Sequence, residues 1–301
     1  MVKFNFMYEH RKEFRVVKMC EVLKVSKSGY YKWIKTSKEN NLPCKQRKKR
    51  LMAKIRRLFF EYRSVYGSPR ITRELWKLGI KIAERTVGKY MREMGLRATP
   101  KKKFVVTTDS KHQNPIYPNL LNRQFEVDKP NSVWVTDITY IWTMQGWLYL
   151  ATVMDLFSRK IIGWATDKTM TKELPLRALE RAISSRKPGE GLIHHSDRGS
   201  QYTSQDYIDR LKECNMQISM SRKGNCYDNA CMESFFSSLK KELVYRQKFE
   251  NREVAAKEIW KYIMSFYNAR RSHSTLGYVS PNEYEKLHGN KQKADKGESA
   301  A

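Results

Sequence analysis

VWVTDITYIWTMQGWLYLATVMDLFSRKIIGWATD, residues 133–167, decides the fold. Residues 133–142 read as a strand, rich in β-branched and aromatic side chains. Met144-Gln145-Gly146 reads as a turn, and 147–155 as a second strand. Ser158-Arg159 turns the chain again into a third strand at 161–166. Three short strands joined by tight turns predict an antiparallel meander. Downstream the pattern alternates: a helix over 172–185, a strand at 191–196, a helix at 204–214, a short strand at 216–220, a helix carrying Glu233 and a long helix at 251–269. A meander followed by alternating helices and strands predicts an α/β domain, a mixed sheet with helices on both faces.

Upstream the chain changes character. Residues 1–36 read as helical, with Val16, Val17, Cys20 and Leu23 at helical spacing, a break at Lys24-Val25, and Ser26 or Ser28 as cap of a second helix. Residues 37–50, SKENNLPCKQRKKR, read as a basic linker. Residues 51–62 form an amphipathic helix, Tyr66-Gly67-Ser68-Pro69 a turn, and two further helices end near Gly79 and Met94. This is a helix-turn-helix pattern whose outward positions include Arg70, Arg73, Arg85 and Lys89, candidates for DNA contact. Residues 98–127 carry Pro100, Pro115, Pro118 and a lysine run, and read as an extended basic linker. The expected divisions are 1–45, a helical segment resembling a helix-turn-helix; 46–97, a helix-turn-helix domain; 98–127, the linker; 128–290, the α/β core with its C-terminal helices; and 291–301, a disordered tail.

Charge points to the partner. The net charge is +28. Residues 1–127 hold 32 Lys and Arg against 10 Asp and Glu, whereas 128–301 hold 27 against 21. So much positive charge in one part implies a polyanion, double-stranded DNA being the expected one, gripped by the first part. Five cysteines without paired spacing argue against a disulfide framework. His194, His195, Cys226 and Cys231 lack the spacing of a zinc knuckle. No apolar run approaches the ~18 residues of a membrane helix, and no signal peptide is visible. The expected location is the cytoplasm, on the nucleoid.

Three carboxylates stand in unusual settings. Asp137 sits inside an apolar strand, where an unpaired charge costs several kcal/mol. Asp197 ends the strand at 191–196, at the kind of strand end where open α/β sheets bind ligands. Glu233 lies on a helix beside the buried stripe of Met232, Phe236, Leu239 and Leu243, with Lys240 two turns further on. Asp228 reads as the cap of that helix. Taken singly, each acid has a plainer reading: an arginine pair for Asp137, a turn or cap for Asp197, a solvated helix face for Glu233. Together they suggest one oxygen-lined cage. Like charges ~4 Å apart repel by ~4 kcal/mol at an effective dielectric near 20, so a cluster calls for a cation. Oxygen ligands select Mg2+ or Mn2+, and two such ions can serve both the attacking and the leaving oxygen of a phosphodiester. Lys240 would then meet a phosphate, and Arg222 and Lys223, in the loop before the helix, are candidates for touching DNA. Asp155 opens a turn and reads as a cap.

WVTDITY, YLATVMDLFSRKIIGW, HSDRGSQY, SMSRKGN with YDNA and ESFFSSLKKE, and YNARRSHSTLGYVSP together resemble the insertion-sequence transposases with a retroviral-integrase-type catalytic core. The resemblance spans about residues 50–285. More narrowly, it is to the second-reading-frame product of the group whose full transposase joins two frames. It implies a ribonuclease-H-like core with Asp137, Asp197 and Glu233 as the metal-binding triad. Lys240 matches the basic residue seven positions after the glutamate, and YGSPRITREL with RTVGKYMREMGL matches the helix-turn-helix before the core. Donor-strand cleavage and strand transfer by a 3′-hydroxyl are the implied chemistry. Element ends and target DNA are the expected partners, with a homo-oligomer forming on DNA and the upstream-frame product, which supplies a further helix-turn-helix and a leucine zipper, as a candidate partner. The competing expectation is a DNA-binding regulator or inhibitor of transposition. A nuclease on the same fold would have no need of the YNARRSHSTLGY segment.

Overall fold

The computed structural model describes residues 2–35, 41–98 and 115–289. The chain forms two compact units, Met1–Ala98 and Thr99–Ala301. Among the described residues, the first unit contains helices joined by turns. Helices α1 (Val2–Glu9), α2 (Val16–Leu23) and α3 (Lys27–Ile34) close around Met7, Met19, Cys20 and Tyr30. Lys24 takes the left-handed conformation after α2, and Ser26 caps α3 by accepting the Gly29 N–H at 3.1 Å. Helices α4 (Asn41–Glu61), α5 (Ser68–Lys77) and α6 (Glu84–Glu93) close around Ile55, Phe59, Tyr66, Ile71, Leu75 and Val87. Gly67 precedes α5, Pro69 sits in its first turn, and Gly79 follows it at φ +76°. The Trp76 indole N–H donates to Ile82 O at 2.9 Å and fixes the turn between α5 and α6.

The basic run at 41–50 is not a linker. It is the first half of α4, while 37–40 lie outside the described residues. Lys, Arg and Gln are good helix formers, and the one breaker, Pro43, falls in the first turn, where an α-helix needs no intrahelical N–H. Lys48 Nζ meets Glu93 Oε2 at 2.6 Å, so part of this charged face is tied to α6. Of the expected linker over 98–127, residues 99–114 lie outside the described residues, and 115–127 belong to the second unit. Leu120 and Leu121 N–H donate to Ser219 Oγ, and Met220 N–H donates to Pro118 O.

The second unit is built on a five-stranded mixed sheet of order β3-β2-β1-β4-β5. Strands β1 (Val133–Thr143), β2 (Gly146–Asp155) and β3 (Lys160–Asp167) are the antiparallel meander. Gly146, at φ +112°, makes the tight turn between β1 and β2. Helix α7 (Glu173–Arg186) then carries the chain to β4 (Ile193–Ser196), which lies parallel to β1. Helix α8 (Gln205–Glu213) leads to β5 (Gln217–Met220), parallel to β4. One face of the sheet packs Trp134, Ala151, Val153 and Ile162 against Ala178, Leu179 and Ala182 of α7 and Tyr207 and Leu211 of α8. The other is covered by α9 (Ala230–Glu242), which packs on β1, and α10 (Arg252–Lys261), which packs on β2.

The long helix expected over 251–269 is interrupted. It passes from α10 into a π-helical turn, Tyr262–Tyr267, whose wider spacing brings Tyr262, Ile263, Phe266 and Tyr267 all into the core. Helix α11 (Pro281–Gly289) is the last described element. Its Glu285 accepts from Ser158, Lys160 and Arg186. The YNARRSHSTLGY segment between them has a structural use. The Asn268 amide takes both the N–H and the C=O of Ile161, at 3.0 and 2.9 Å, and so occupies part of the open edge of β3.

Gly163 lets α7 lie directly on β3. A Cβ there would stand 2.2 Å from Ala178 O and 2.8 Å from Ala182 N. Backbone cannot yield as a side-chain tip can, so Gly163→Ala is expected to lose about 3 kcal/mol, the upper part of the overpacking range. Equilibrium urea unfolding measures it, and a loss below ~1 kcal/mol would mean that the helix can shift without cost.

Candidate catalytic centre

Register brings the first two acids together. Strand β1 pairs in parallel with β4, with Val133 opposite Ile193 and Val135 opposite His195. Asp137 lies two residues beyond Val135, and Asp197 two beyond His195. Asp137 is still within β1, whereas Asp197 is the first residue past β4, and the parallel register carries both toward one end of the sheet. Both line one cavity of about 460 Å³, together with Tyr140, Trp147, Tyr149 and Tyr202. Asp137 Oδ1 accepts the Ile138 N–H at 2.8 Å, and Asp197 Oδ1 accepts the Gly199 N–H at 2.9 Å. The Asp197 bond is an Asx-type turn, the plainer use of that residue.

Glu233 and Lys240 arrive on α9. Glu233 is in the first turn and exposed; Lys240 is half-buried, with Nζ 4.8 Å from the centroid of the Tyr140 ring. The buried stripe of the helix is Met232, Phe235, Phe236 and Leu239. Its start is pinned beside Asp137 by Asn229, whose Nδ2 donates to Thr136 O at 3.1 Å. That contact was not legible in the sequence, because an Asn at the head of a helix reads as a cap. Here it makes no side-chain cap bond.

The electrostatics report the same neighbourhood. The Asp137 carboxyl is pushed well above its usual range, by desolvation first, then by the charge of Asp197 and, more weakly, that of Glu233. The Ile138 N–H and Lys240 act in the opposite sense. Desolvation lowers Lys240, and Asp137 opposes that. Asp137, Asp197, Glu233 and Lys240 thus share one field. Among the described residues, no group of three or more His, Cys, Asp or Glu is placed so that it could hold a metal ion as it stands. Asp137 and Asp197 face one cavity, and the long, exposed Glu233 is near enough for its charge to be felt at Asp137. Three like charges repel, and Glu233 can turn to water where the two shorter acids cannot. As a donor set, all-carboxylate oxygen fits a hard divalent cation, and the raised Asp137 is the behaviour of a carboxylate that such a charge would relieve.

Other residues fall elsewhere. Asp228 does not cap α9. It is fully buried in a 3-10 turn, Cys226–Asn229, and takes the Arg222 guanidinium in two bonds of 2.7 and 2.9 Å, the Arg222 N–H, Arg123 Nε at 2.8 Å and Asn119 Nδ2 at 3.1 Å. Arg222 above all holds its carboxyl far below the usual range. Arg222 is therefore a brace of the loop before α9, with its side chain still 49% exposed, while Lys223 is exposed. His194 and His195 do not line the acidic cavity. His195 bridges Ser219 and Ser221 at 2.8 and 3.0 Å, His194 meets the Tyr207 hydroxyl at 3.2 Å, and burial pushes them down to about 4 and about 3, so both are neutral. Asp155 ends β2 and accepts the N–H groups of Asn131 and Phe157. In the first unit, Arg85 and Lys89 are exposed one turn apart on α6. Arg70 and Arg73 lie over the rings of Tyr66 and Trp76.

A mixed sheet in the order β3-β2-β1-β4-β5, with Asp137 on β1, Asp197 just past the end of the parallel β4 and the helix of Glu233 packed on β1, has the architecture of a ribonuclease-H-like core of the integrase class. The chain matches the family described as Integrase core domain over residues 127–226 and a second of that description over 233–288; it also matches an HTH-like domain over 38–104. It is 45% identical over 271 residues to the insertion element IS600 31 kDa protein of Shigella sonnei, covering 90% of this chain and 98% of that one. It is 40% identical over 285 residues to the transposase InsF for insertion sequence IS3A of Escherichia coli K12, covering 94% and 98%. Its fold is similar to the catalytic core of BIV integrase, with a TM-score of 0.41 and 18% identity over 54% of this chain and 99% of that one. The chain belongs to the IS3-family insertion-sequence transposases. Among its described residues no helix is long and apolar enough to cross a membrane.

Proposed function

We propose that this chain is a polynucleotidyl transferase that cuts and joins DNA at Asp137, Asp197 and Glu233. The observation that carries the reading is that Asp137, on β1, and Asp197, just past the end of the parallel neighbour β4, line one cavity. Asp137 and Asp197 would hold divalent cations from the sheet, with Glu233 turning in from α9. Two Mg2+ or Mn2+ ions bound there would supply charge at both the attacking and the leaving oxygen of a phosphodiester. Lys240 holds a phosphate beside the acids, and its half-buried ammonium on the Tyr140 ring is pre-positioned for that. Tyr202, fully buried with its hydroxyl 3.2 Å from Thr136 Oγ1, forms the wall behind the aspartates. The reaction is strand cleavage followed by attack of a 3′-hydroxyl on target DNA.

Residues 46–97 act as the helix-turn-helix that grips duplex DNA, with Arg85 and Lys89 of α6 foremost, Arg70 and Arg73 beside them, and Lys223 near the centre. Residues 128–290 carry the chemistry; the expected tail, 291–301, and residues 99–114 of the expected linker lie outside the described residues. The working assembly is a homo-oligomer on element ends and target, at the nucleoid, with the upstream-frame product as a partner. One observation favours the regulator reading instead: no three acids are already assembled as a metal group among the described residues.

Calorimetry with Mn2+ separates the two. The full chain is expected to give saturable heat. Asp197→Asn is expected to weaken binding by more than the ~10–100-fold typical of losing an outer-shell partner. An unchanged isotherm in the variant removes Asp197 from any metal site.

A further inference from the structure

Two cavities flank the β1–β2 hairpin and share a wall. One is the acidic cavity of Asp137 and Asp197. The other, about 610 Å³, is lined by Trp142, Tyr245, Lys240 and Lys248 among others, with no Asp or Glu. Tyr140 and Trp147 line both. The rings stand edge to face, Trp147 at 5.1 Å from Tyr140 and 4.8 Å from Trp142. Trp142 is 57% exposed, Trp147 43% and Tyr245 44%.

The platform is held rigidly. Trp142 and Trp147 are direct partners across the two strands. The hairpin tip is braced from outside the sheet: Met144 N–H donates to Phe249 O at 2.9 Å, and Arg252 Nε to Trp147 O at 2.8 Å. Two indoles left half in water forgo a large apolar burial, which a rigid surface recovers when a flat apolar partner covers it. Two lysines and no acid in the lining require that the partner also carry negative charge. A nucleotide unit meets both conditions, with a base on the rings and a phosphate on the ammonium groups. Inside a duplex the faces of a base are already stacked, so only an unpaired base presents one.

We propose that this groove is a stacking subsite for an unpaired base of the DNA strand that reacts at Asp137 and Asp197, its neighbouring phosphate lying on Lys240 and Lys248. The inference rests on the function proposed above. It makes local strand opening beside the reacting phosphate part of substrate recognition, and gives the β1–β2 hairpin a binding role in addition to its place in the sheet.

The test uses the full chain and two probes of one sequence: a blunt duplex, and the same duplex with its terminal bases unpaired on one strand. The readout is the ratio of the two dissociation constants at fixed salt. The wild-type chain is expected to prefer the unpaired probe by about tenfold, within the range for one base on one aromatic ring. In Trp142→Ala the ratio falls to near one, and in Trp142→Phe most of it returns. A wild-type ratio near one, or a Trp142→Ala ratio equal to wild type, overturns the subsite. If Trp142→Ala instead halves the sedimenting mass and leaves the ratio intact, the groove is an interface between copies and the subsite is wrong. If the wild-type chain binds neither probe, the proposed function falls first.

Discussion

Asp137→Asn is expected to lower strand transfer by roughly 10³-fold or more while making the metal-free protein more stable. Asn keeps the shape and can still accept the Ile138 N–H, so the local fold has no reason to change. What it removes is a full charge. A carboxylate about 4 Å from a dication gains ~8 kcal/mol at an effective dielectric near 20, twice the unit-charge value. Part of that is returned as desolvation no longer incurred, and a net ~4 kcal/mol corresponds to the stated factor. The stability effect has the opposite sign. Burial and the fields of Asp197 and Glu233 both disfavour the charged form of Asp137. A neutral isostere relieves them, so the unfolding midpoint in chelator should rise. Duplex affinity should not fall, because the positive charge is concentrated in residues 1–127. Strand transfer, melting in chelator and duplex binding, measured together, separate these terms. Activity retained in magnesium would remove Asp137 from the centre, and lower stability would show that its charge has a structural partner.

The second large effect lies away from the centre. Arg271→Ala is expected to lose 3–5 kcal/mol, the range for stripping one partner from a buried ion pair. Arg271 and Glu242 are 8% and 7% exposed and joined by Nε and Nη2 bonds of 2.9 Å. The Tyr262 hydroxyl donates to Glu242 at 2.7 Å, and Ser238 Oγ accepts from Arg271 at 2.9 Å. Removing the guanidinium leaves Glu242 buried at the end of α9, the helix that carries Glu233 and Lys240. The double change Glu242→Leu with Arg271→Met should cost less than Arg271→Ala alone, because no charge is left unpaired. Urea unfolding of the three proteins tests it. A double variant no better than Arg271→Ala would assign the loss to packing instead of charge.

The same segment shows where sequence reasoning stops. YNARRSHSTLGY was legible as a motif, but its use was not. Asn268 binds Ile161 and Arg271 binds Glu242, partners 107 and 29 residues away. Nothing local in the chain names such partners. Asp228 misled for a related reason. An acid just before a helix reads as a cap, yet its bonds go to Arg123, Arg222 and Asn119, brought together by folding. The run at 41–50 misled differently: charge suggests solvent, but solvent exposure does not oppose a helix, and α4 simply begins there.

The meander, the alternation after it and the basic first part followed from the sequence by itself, because periodicity, turn residues and net charge are properties of neighbouring residues. The sequence also offered Asp137, Asp197 and Glu233 as candidates, each with a plainer reading taken singly, and the family resemblance joined them as a triad. Only the tertiary structure decided how they stand: Asp137 on a strand and Asp197 just past the end of its parallel neighbour, both facing one cavity, Glu233 exposed on its helix, and an aromatic groove sharing a wall with that cavity. The reason is that strand pairing and helix packing join residues tens of positions apart, and their register is set by the whole core and not by any one stretch.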